Sequence, residues 1–521
     1  MLDPLHQLAL ETIQLKKQAL IFAPSRASTE KMAEDLAKLV SENLPELEQK
    51  ILHAGSVPTK QCRKLSQCIR KGLAFHHAGL LSAQRELIED EFRSGKIKII
   101  CATPTLAAGM SLPAFRVIIK SLKRYSGEWG MDWIPVLEYL QMAGRAGRPE
   151  YEQWGEAITL AKDEQEKAEI YHQFICGVPE DISSKLAVEP VLRTYLLSLI
   201  SSGVINDEKT MKEFFGRTFW AHQYADRTQL NKIMDKMLAL LQEWEFVAIS
   251  GNKEQQGEFV TAANLKKKMG EKTEKESEKT MNATRLGKRI SELYLDPLTA
   301  RHLADSLANF TTTKTVFSLI QMIAHTLEMR PLLRTKKKEQ DLVQEELVKR
   351  YGQLLLPEPS VDDLDYDSFF NSIKTALFFE DWISEKDEDF LMEKYDVRPG
   401  EIRVKLEIAD WLLYSAEELA GLLDYREIVT ELRKLRMRVK DGVKEELLPL
   451  LKLKGIGRVR GRKLYSNGIK DLGDVKKADL TTLSQILGRA IAQDVQQQVG
   501  EELKKVPDGR RSGQLSIRKY G

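Results

Sequence analysis

Cysteine is scarce in this chain. Four occur in 521 residues, at positions 62, 68, 101 and 176, with no Cys-x-x-Cys spacing and no paired histidines at ligand distance. That pattern argues against a disulfide framework or a metal site and fits a reducing, intracellular compartment. No long apolar run and no signal-peptide pattern is present, so a cytoplasmic protein without a membrane partner is expected. Neither sign of charge prevails: 79 Lys+Arg face 77 Asp+Glu, a net charge of +2, so any basic surface has to be local. There is also no GxxxxGK[ST] phosphate loop and no acidic Asp-Glu box to hold magnesium. A nucleotide site complete in itself is therefore not expected.

What is there is a globular composition, 42% hydrophobic and 30% charged, at a length that implies several domains. Short apolar runs at 18–23, 97–102, 117–119 and 156–160, with a strand and loop over 72–79, alternate with helical patterns at 5–17, 29–40 and 82–93. Ser82 reads as a helix N-cap. Strands alternating with helices predict a parallel α/β sheet. After about residue 175 strands nearly vanish and helical periodicity takes over. The exceptions are 244–248 and 257–261, which read as a two-stranded wing. Residues 266–279 are charged and poor in apolar side chains, as in a surface loop. These shifts divide the chain into 1–174, 175–310, 311–445, 446–506 and a tail, 507–521.

The first region carries four motifs in order. Ala19-Leu-Ile-Phe-Ala-Pro-Ser-Arg26 sets Ser25 and Arg26 in a turn after a strand, and Phe75-His-His-Ala-Gly-Leu80 precedes a helix containing Gln84-Arg85. Thr103-Pro-Thr-Leu-Ala-Ala-Gly109 follows another strand, and Gln141-Met-Ala-Gly-Arg-Ala-Gly-Arg-Pro149 follows that. A threonine turn after a strand is on its own an ordinary helix cap, and a GRxGR on its own is a solvated helix start. Arginine, however, forks onto phosphate oxygens, and glycine lets a backbone come close to a ligand. Between these motifs Ser121-Leu-Lys-Arg-Tyr-Ser-Gly-Glu-Trp-Gly-Met-Asp-Trp133 reads either as a connecting loop with Trp133 packed inward or as a hairpin with an exposed tip.

Taken together the motifs resemble the second RecA-like motor lobe of superfamily-two helicases, and most closely archaeal HelQ-type DNA helicases, related to the helicase part of polymerase theta. The resemblance implies an α/β RecA-like parallel-sheet lobe followed by winged-helix, all-α ratchet bundle and helix-hairpin-helix domains. It implies a 3′–5′ helicase that translocates on single-stranded DNA and unwinds forked or branched duplexes at stalled replication forks. Ser25, Arg26, Thr103 and Thr105 would lie on the DNA side, with Gly109 near the nucleotide. Gln141, Arg145 and Arg148 would face ATP, held with Mg2+ mainly by a first RecA-like lobe that this chain lacks and that would be its partner. Without that lobe the chain is expected to bind DNA but not to hydrolyse ATP. The 121–133 segment becomes a strand-separating hairpin with Lys123 and Arg124 as phosphate contacts and Tyr125 or Trp129 as the wedge.

Farther along, Ala283–Pro297 resembles the family's winged-helix segment, where Arg285, Lys288 and Arg289 either touch phosphate or form a solvated face. Val397–Tyr414 resembles the ratchet helix, with Trp411 as base-stacking post and Arg403 or Lys405 as its phosphate contact. Gly455-Ile-Gly457 is similar to a helix-hairpin-helix turn, with Lys454, Arg458, Arg460, Arg462 and Lys463 as counter-charge. The tail Gln514–Tyr520 loosely fits a sliding-clamp peptide, making a clamp or a single-strand-binding protein a candidate partner. Two other readings remain: a non-catalytic DNA-binding or regulatory subunit, and an RNA helicase of the exosome-assisting branch.

Overall fold

Four-residue apolar strands build the sheet of the first part of the chain. The computed structural model describes residues 3–504 apart from 56–57, 110–111, 126–129, 148–153, 224–226, 251–279 and 312–314. Two compact units result, one of 1–182 with 387–405 and one of 183–386 with 406–521. In the first, helix α1 (Pro4–Gln14) leads to β1 (Ala19–Phe22), α2 (Arg26–Ala37), α3 (Pro45–Leu52), α4 (Lys60–Arg70) and β2 (Leu73–His76). Then come α5 (Ser82–Arg93), β3 (Ile99–Ala102), α6 (Thr105–Gly109), β4 (Arg116–Ile119), β5 (Lys123–Tyr125) and β6 (Met131–Trp133). Helix α7 (Val136–Ala143), β7 (Glu156–Thr159) and α8 (Glu164–Ile170) complete this stretch.

The sheet order is β2-β3-β1-β4-β7, all pairs parallel. Every residue of β1 to β4 is buried, which is why these strands read as unbroken apolar runs rather than as alternation. Phe22 sits in register with Ala102 and Ile119, and His76 with Ala102. The Ser25, His77 and Thr103 segments therefore all leave the same carboxyl edge, where open α/β sheets place ligands. Ser25 caps α2, its hydroxyl accepting from the Ser28 N–H at 3.2 Å. Ser82 is not the cap of α5: that position is Leu81, whose N–H donates to Gln84 Oε1 at 3.2 Å. Helices α3 and α4, absent from the sequence reading, cover the β2 side.

The second unit starts with α9 (Glu189–Ser201), α10 (Glu208–Gly216), α11 (Phe219–Gln223) and α12 (Arg227–Glu243). An antiparallel ribbon follows, β8 (Val247–Ser250) with β9 (Thr280–Ala283). The wing strand expected at 244–248 forms instead at 247–250, with its partner at 280–283, while 257–261 and 266–279 lie outside the described residues. Helices α13 (Arg285–Glu292), α14 (Pro297–Ala308), α15 (Val316–Ala324), α16 (Gln340–Arg350) and α17 (Tyr366–Ile383) continue the chain. Buried Arg193 of α9 forks onto Asp296, the cap of α14, at 2.6 and 2.9 Å. Removing one partner would strand a buried charge at a cost of about 3–5 kcal/mol.

Helix α18 (Glu388–Tyr395) and the start of the 24-residue α19 (Pro399–Leu422) belong to the first unit, and α19 runs on into the second. After α20 (Arg426–Asp441), helices α21 (Arg458–Ser466), α22 (Leu472–Lys477), α23 (Leu480–Leu487) and α24 (Arg489–Lys504) enclose a core of their own around Leu447, Leu464, Val475, Leu483 and Val495. Among the described residues no helix is long and apolar enough to cross a membrane.

Candidate nucleotide and nucleic-acid sites

At the carboxyl edge of the sheet, α6 and the end of α7 are joined through one side chain. Arg145 donates from Nε to the carbonyl of Ala107 at 3.1 Å, and from Nη2 to the same oxygen. Its backbone is fixed too: the Ala114 N–H donates to Arg145 O at 2.9 Å and the Gly147 N–H to Ala114 O at 2.7 Å. Gly155 lies so close that a Cβ there would stand 2.3 Å from the Gly147 nitrogen, so the strand leading into β7 must pass as bare backbone. A guanidinium resting on a neutral carbonyl keeps its full charge and can exchange that acceptor for a phosphate oxygen. Thr103 and Thr105, 2.8 Å apart by their hydroxyls, open the same α6 turn that Arg145 holds. Gly109 ends α6 and Gln141 lies exposed on α7; Arg148 lies outside the described residues.

The 121–133 segment is a hairpin, with Lys123 opposite Trp133, Arg124 opposite Asp132 and Tyr125 opposite Met131. Its basic residues are engaged at the base. Lys123 pairs with Glu166 at 3.1 Å and stands 4.0 Å over the Trp133 ring, and Arg124 pairs with Glu138 at 2.9 Å. Trp133 packs against the core, within 5.5 Å of Phe174. The tip, including Trp129, lies outside the described residues.

Behind the Phe75–Leu80 motif are two buried acid–histidine pairs. His76 Nε2 lies 3.0 Å from Glu89, and burial, with help from Arg85 and His77, pushes His76 down to about 3. Burial raises the carboxyl of Glu89. His77 Nδ1 accepts from the Gly79 N–H at 3.1 Å, while Nε2 faces Glu30 at 3.3 Å. Burial alone would raise Glu30, but the neighbouring His77 and Gln61 and the charge of Arg398 outweigh it and hold the carboxyl below its usual range.

Arg26 points at the start of α19 and pairs with Glu401. On α19, Arg403 is exposed and bonded to Glu388 at 3.0 Å, whereas Lys405 is only 8% exposed. Burial draws the Lys405 ammonium down to about 8. Of the two basic residues that the sequence left open, only Arg403 is on the surface. Trp411 is half-buried, and its indole N–H donates to the carbonyl of Leu293 at 3.0 Å. Arg289, expected on phosphate or in solvent, is engaged by Glu418 at 3.0 Å and by the Tyr414 hydroxyl at 3.2 Å. Arg285 and Lys288 are exposed.

In the last helices Gly455 adopts φ +81°, and α21 starts at Arg458 with Gly457 as its cap. The surrounding cations divide into two sets. Arg458 donates to the carbonyl of Lys386 and lies 5.0 Å over Trp382, and Arg462 bridges Glu385 and Glu446 at 2.6 and 2.7 Å. Lys454, Arg460 and Lys463 are exposed. The Gln514–Tyr520 tail lies outside the described residues. The sequence reading gave no role to Glu30, Arg398 and Glu401; the one local signal for them is Gly400, in the first turn of α19.

Three stretches of the chain match known protein families. Residues 2–150 match the helicase conserved C-terminal domain, residues 317–442 an archaeal helicase domain 4, and residues 447–501 a SAM-like helix-hairpin-helix tandem. An ATP-dependent DNA helicase Hel308 of Methanocella arvoryzae is 34% identical over 519 residues, covering 97% of this chain and 66% of that protein. Those of Pyrococcus abyssi and Pyrococcus horikoshii are 36% and 35% identical, each with 67% of its own length covered. The chain thus spans about two thirds of the length of the curated relatives it matches.

Proposed function

Since the chain belongs to the Hel308 family of archaeal superfamily-two helicases, we propose that it is the C-terminal portion of an ATP-dependent 3′–5′ DNA helicase acting on forked or branched duplexes. Residues 1–174 would be the second motor lobe, 175–310 a winged-helix domain built on the β8–β9 ribbon, 311–445 a ratchet bundle and 446–506 the helix-hairpin-helix module. One observation carries the reading: Arg145, in the arginine stretch, is bonded to the α6 turn that Thr103 and Thr105 open. A change in what Arg145 binds is thereby a change in the support of a strand-contacting turn.

Bound ATP with Mg2+ would supply the phosphoanhydride whose cleavage drives the cycle. Arg145 would release the Ala107 carbonyl and place its charge on the terminal phosphate, with Arg148 and Gln141 beside it. Thr103 and Thr105 would hold backbone phosphates through hydroxyls. Arg403 and Trp411 on α19, eight residues apart and so about 80° around the helix, would hold a phosphate and stack a base. The hairpin tip would part the duplex, and the exposed cations near Gly455 would steady the emerging strand.

DNA-stimulated ATP hydrolysis, measured on this chain alone and mixed with a matching first RecA-like lobe, tests the proposal. The expected result is silence alone and turnover in the mixture, reduced by Arg145→Ala on the order of a thousandfold. Silence in both with DNA affinity intact would make the chain a non-catalytic binding module. Tighter binding to RNA than to DNA of one sequence would move it to the RNA branch.

A further inference from the structure

Helix α2 and the start of α19 face each other with crossed charges inside the first unit. Arg26 and Glu30 lie four residues apart on α2, on one face of the helix. Arg398 and Glu401 lie three apart at the start of α19. Arg26 pairs with Glu401, and Arg398 Nε stands 3.5 Å from Glu30. The second oxygen of Glu401 accepts the Arg398 N–H at 2.8 Å, closing the first turn of α19 much as a capping box does. Between the two pairs the backbones touch: the Gly400 N–H donates to Gly79 O at 2.9 Å. A Cβ on Gly400 would lie 2.4 Å from Ala78 O and 2.6 Å from Leu80 O, so only glycine lets the helix settle on that loop. Two further links, Lys60 N–H to Asp389 at 3.3 Å and Lys60 to Glu393 at 3.8 Å, tie α18 to the same lobe.

We propose that the crossed pairs Arg26–Glu401 and Glu30–Arg398, closed over the Gly79–Gly400 contact, are a latch that positions α19 on the turn following β1. Arg26 is then a positioning residue for translocation, and its guanidinium is spent on Glu401 rather than on DNA. The inference rests on the proposed reading of this lobe as a motor and of α19 as a strand-tracking helix. Movement of the turn is passed to α19 through ion pairs that hold direction as well as distance, because each helix presents one cation and one anion. A single pair would allow the helix to pivot; two crossed pairs resist it.

The test uses the chain supplied with its first lobe and compares Arg26→Glu, Glu401→Arg and the charge-exchanged double variant. The readouts are single-strand affinity, DNA-stimulated ATP turnover, and base pairs unwound per ATP. Each single variant is expected to keep affinity and turnover near wild type and to lose about tenfold in base pairs unwound per ATP. The double variant, which rebuilds the pair in exchanged order, should recover most of the loss even if one single variant folds poorly. Loss of single-strand affinity in Arg26→Glu that the double variant does not repair would make Arg26 a DNA contact and overturn the latch. Unchanged unwinding per ATP in both single variants would overturn it as well. A wild-type protein that hydrolyses no ATP and unwinds nothing would sink the helicase reading, and the latch with it.

Discussion

Trp411 is a residue whose chemistry changes with what surrounds it. A tryptophan at helical spacing is ordinarily core, yet this one is half-buried with its N–H bonded to Leu293 O. That bond fixes the plane of the indole, and a fixed plane is what a base can stack on at little entropic cost. Trp411→Ala is expected to weaken single-strand binding by roughly 1–3 kcal/mol, with Trp411→Phe intermediate. Fluorescence anisotropy with a short oligonucleotide would measure it, and a thermal melt would separate lost stacking from lost fold. Unchanged affinity would return Trp411 to the core. The aromatic itself was plain in the sequence. Its tether was not, because Leu293 is 118 residues away in the chain.

Among the elements α19 carries the most conflicting demands. It is exposed at Arg403 and buried at Lys405, two residues apart, because one turn of a helix presents different faces to different neighbours. Burying the Lys405 ammonium lowers its pKa from 10.5 to about 8. At neutral pH the lysine is charged both folded and unfolded, so the fold carries the whole penalty, about 3 kcal/mol. Between about 8 and 10.5 the unfolded chain holds a proton that the folded one has lost, and stability rises with pH. Lys405→Met is therefore expected to raise the melting temperature at pH 7, with the advantage shrinking by pH 10. Calorimetry at the two pH values checks both sign and window. Other elements were easier to read. Strands β1 to β4, buried throughout, read as apolar runs apart from His76 and Arg116 at their ends. Helix α4 was missed although Cys62, Leu65, Cys68 and Ile69 line its buried face, because its remaining residues are polar and no strand signal flanks it on the N-terminal side.

For the whole molecule, near-neutral net charge puts the burden of DNA binding on local surfaces. The cations around Gly455 show how a count misleads: Arg458 and Arg462 are half-buried against partners within the protein, whereas Lys454, Lys463 and Arg460, which donates to the Gly455 carbonyl at 2.8 Å, are exposed. Replacing Arg460 and Lys463 together by Ala should weaken DNA binding evenly across sequences and reduce the slope of log affinity against log salt by about 1–2. Arg462→Ala should leave that slope unchanged while lowering the melting temperature, since it removes a two-acid ion pair instead of a phosphate contact. Titrations at several salt concentrations distinguish the two.

The sequence by itself determined the parallel-sheet lobe, the order of its motifs and the glycine turn near the end, whereas the choice between loop and hairpin after β4 was made by the structure. Each of the first three is a local pattern of apolar period, glycine or clustered charge, written within a dozen or so residues. The tertiary structure alone decided which charges are free. Arg26 meets Glu401 across 375 residues, Arg289 meets Glu418 across 129, and Arg462 meets Glu385 across 77. A charged side chain looks the same in sequence whether it awaits a phosphate or already holds a carboxylate. Only the folded chain, by bringing distant carboxylates within reach of some cations and not of others, separates the two.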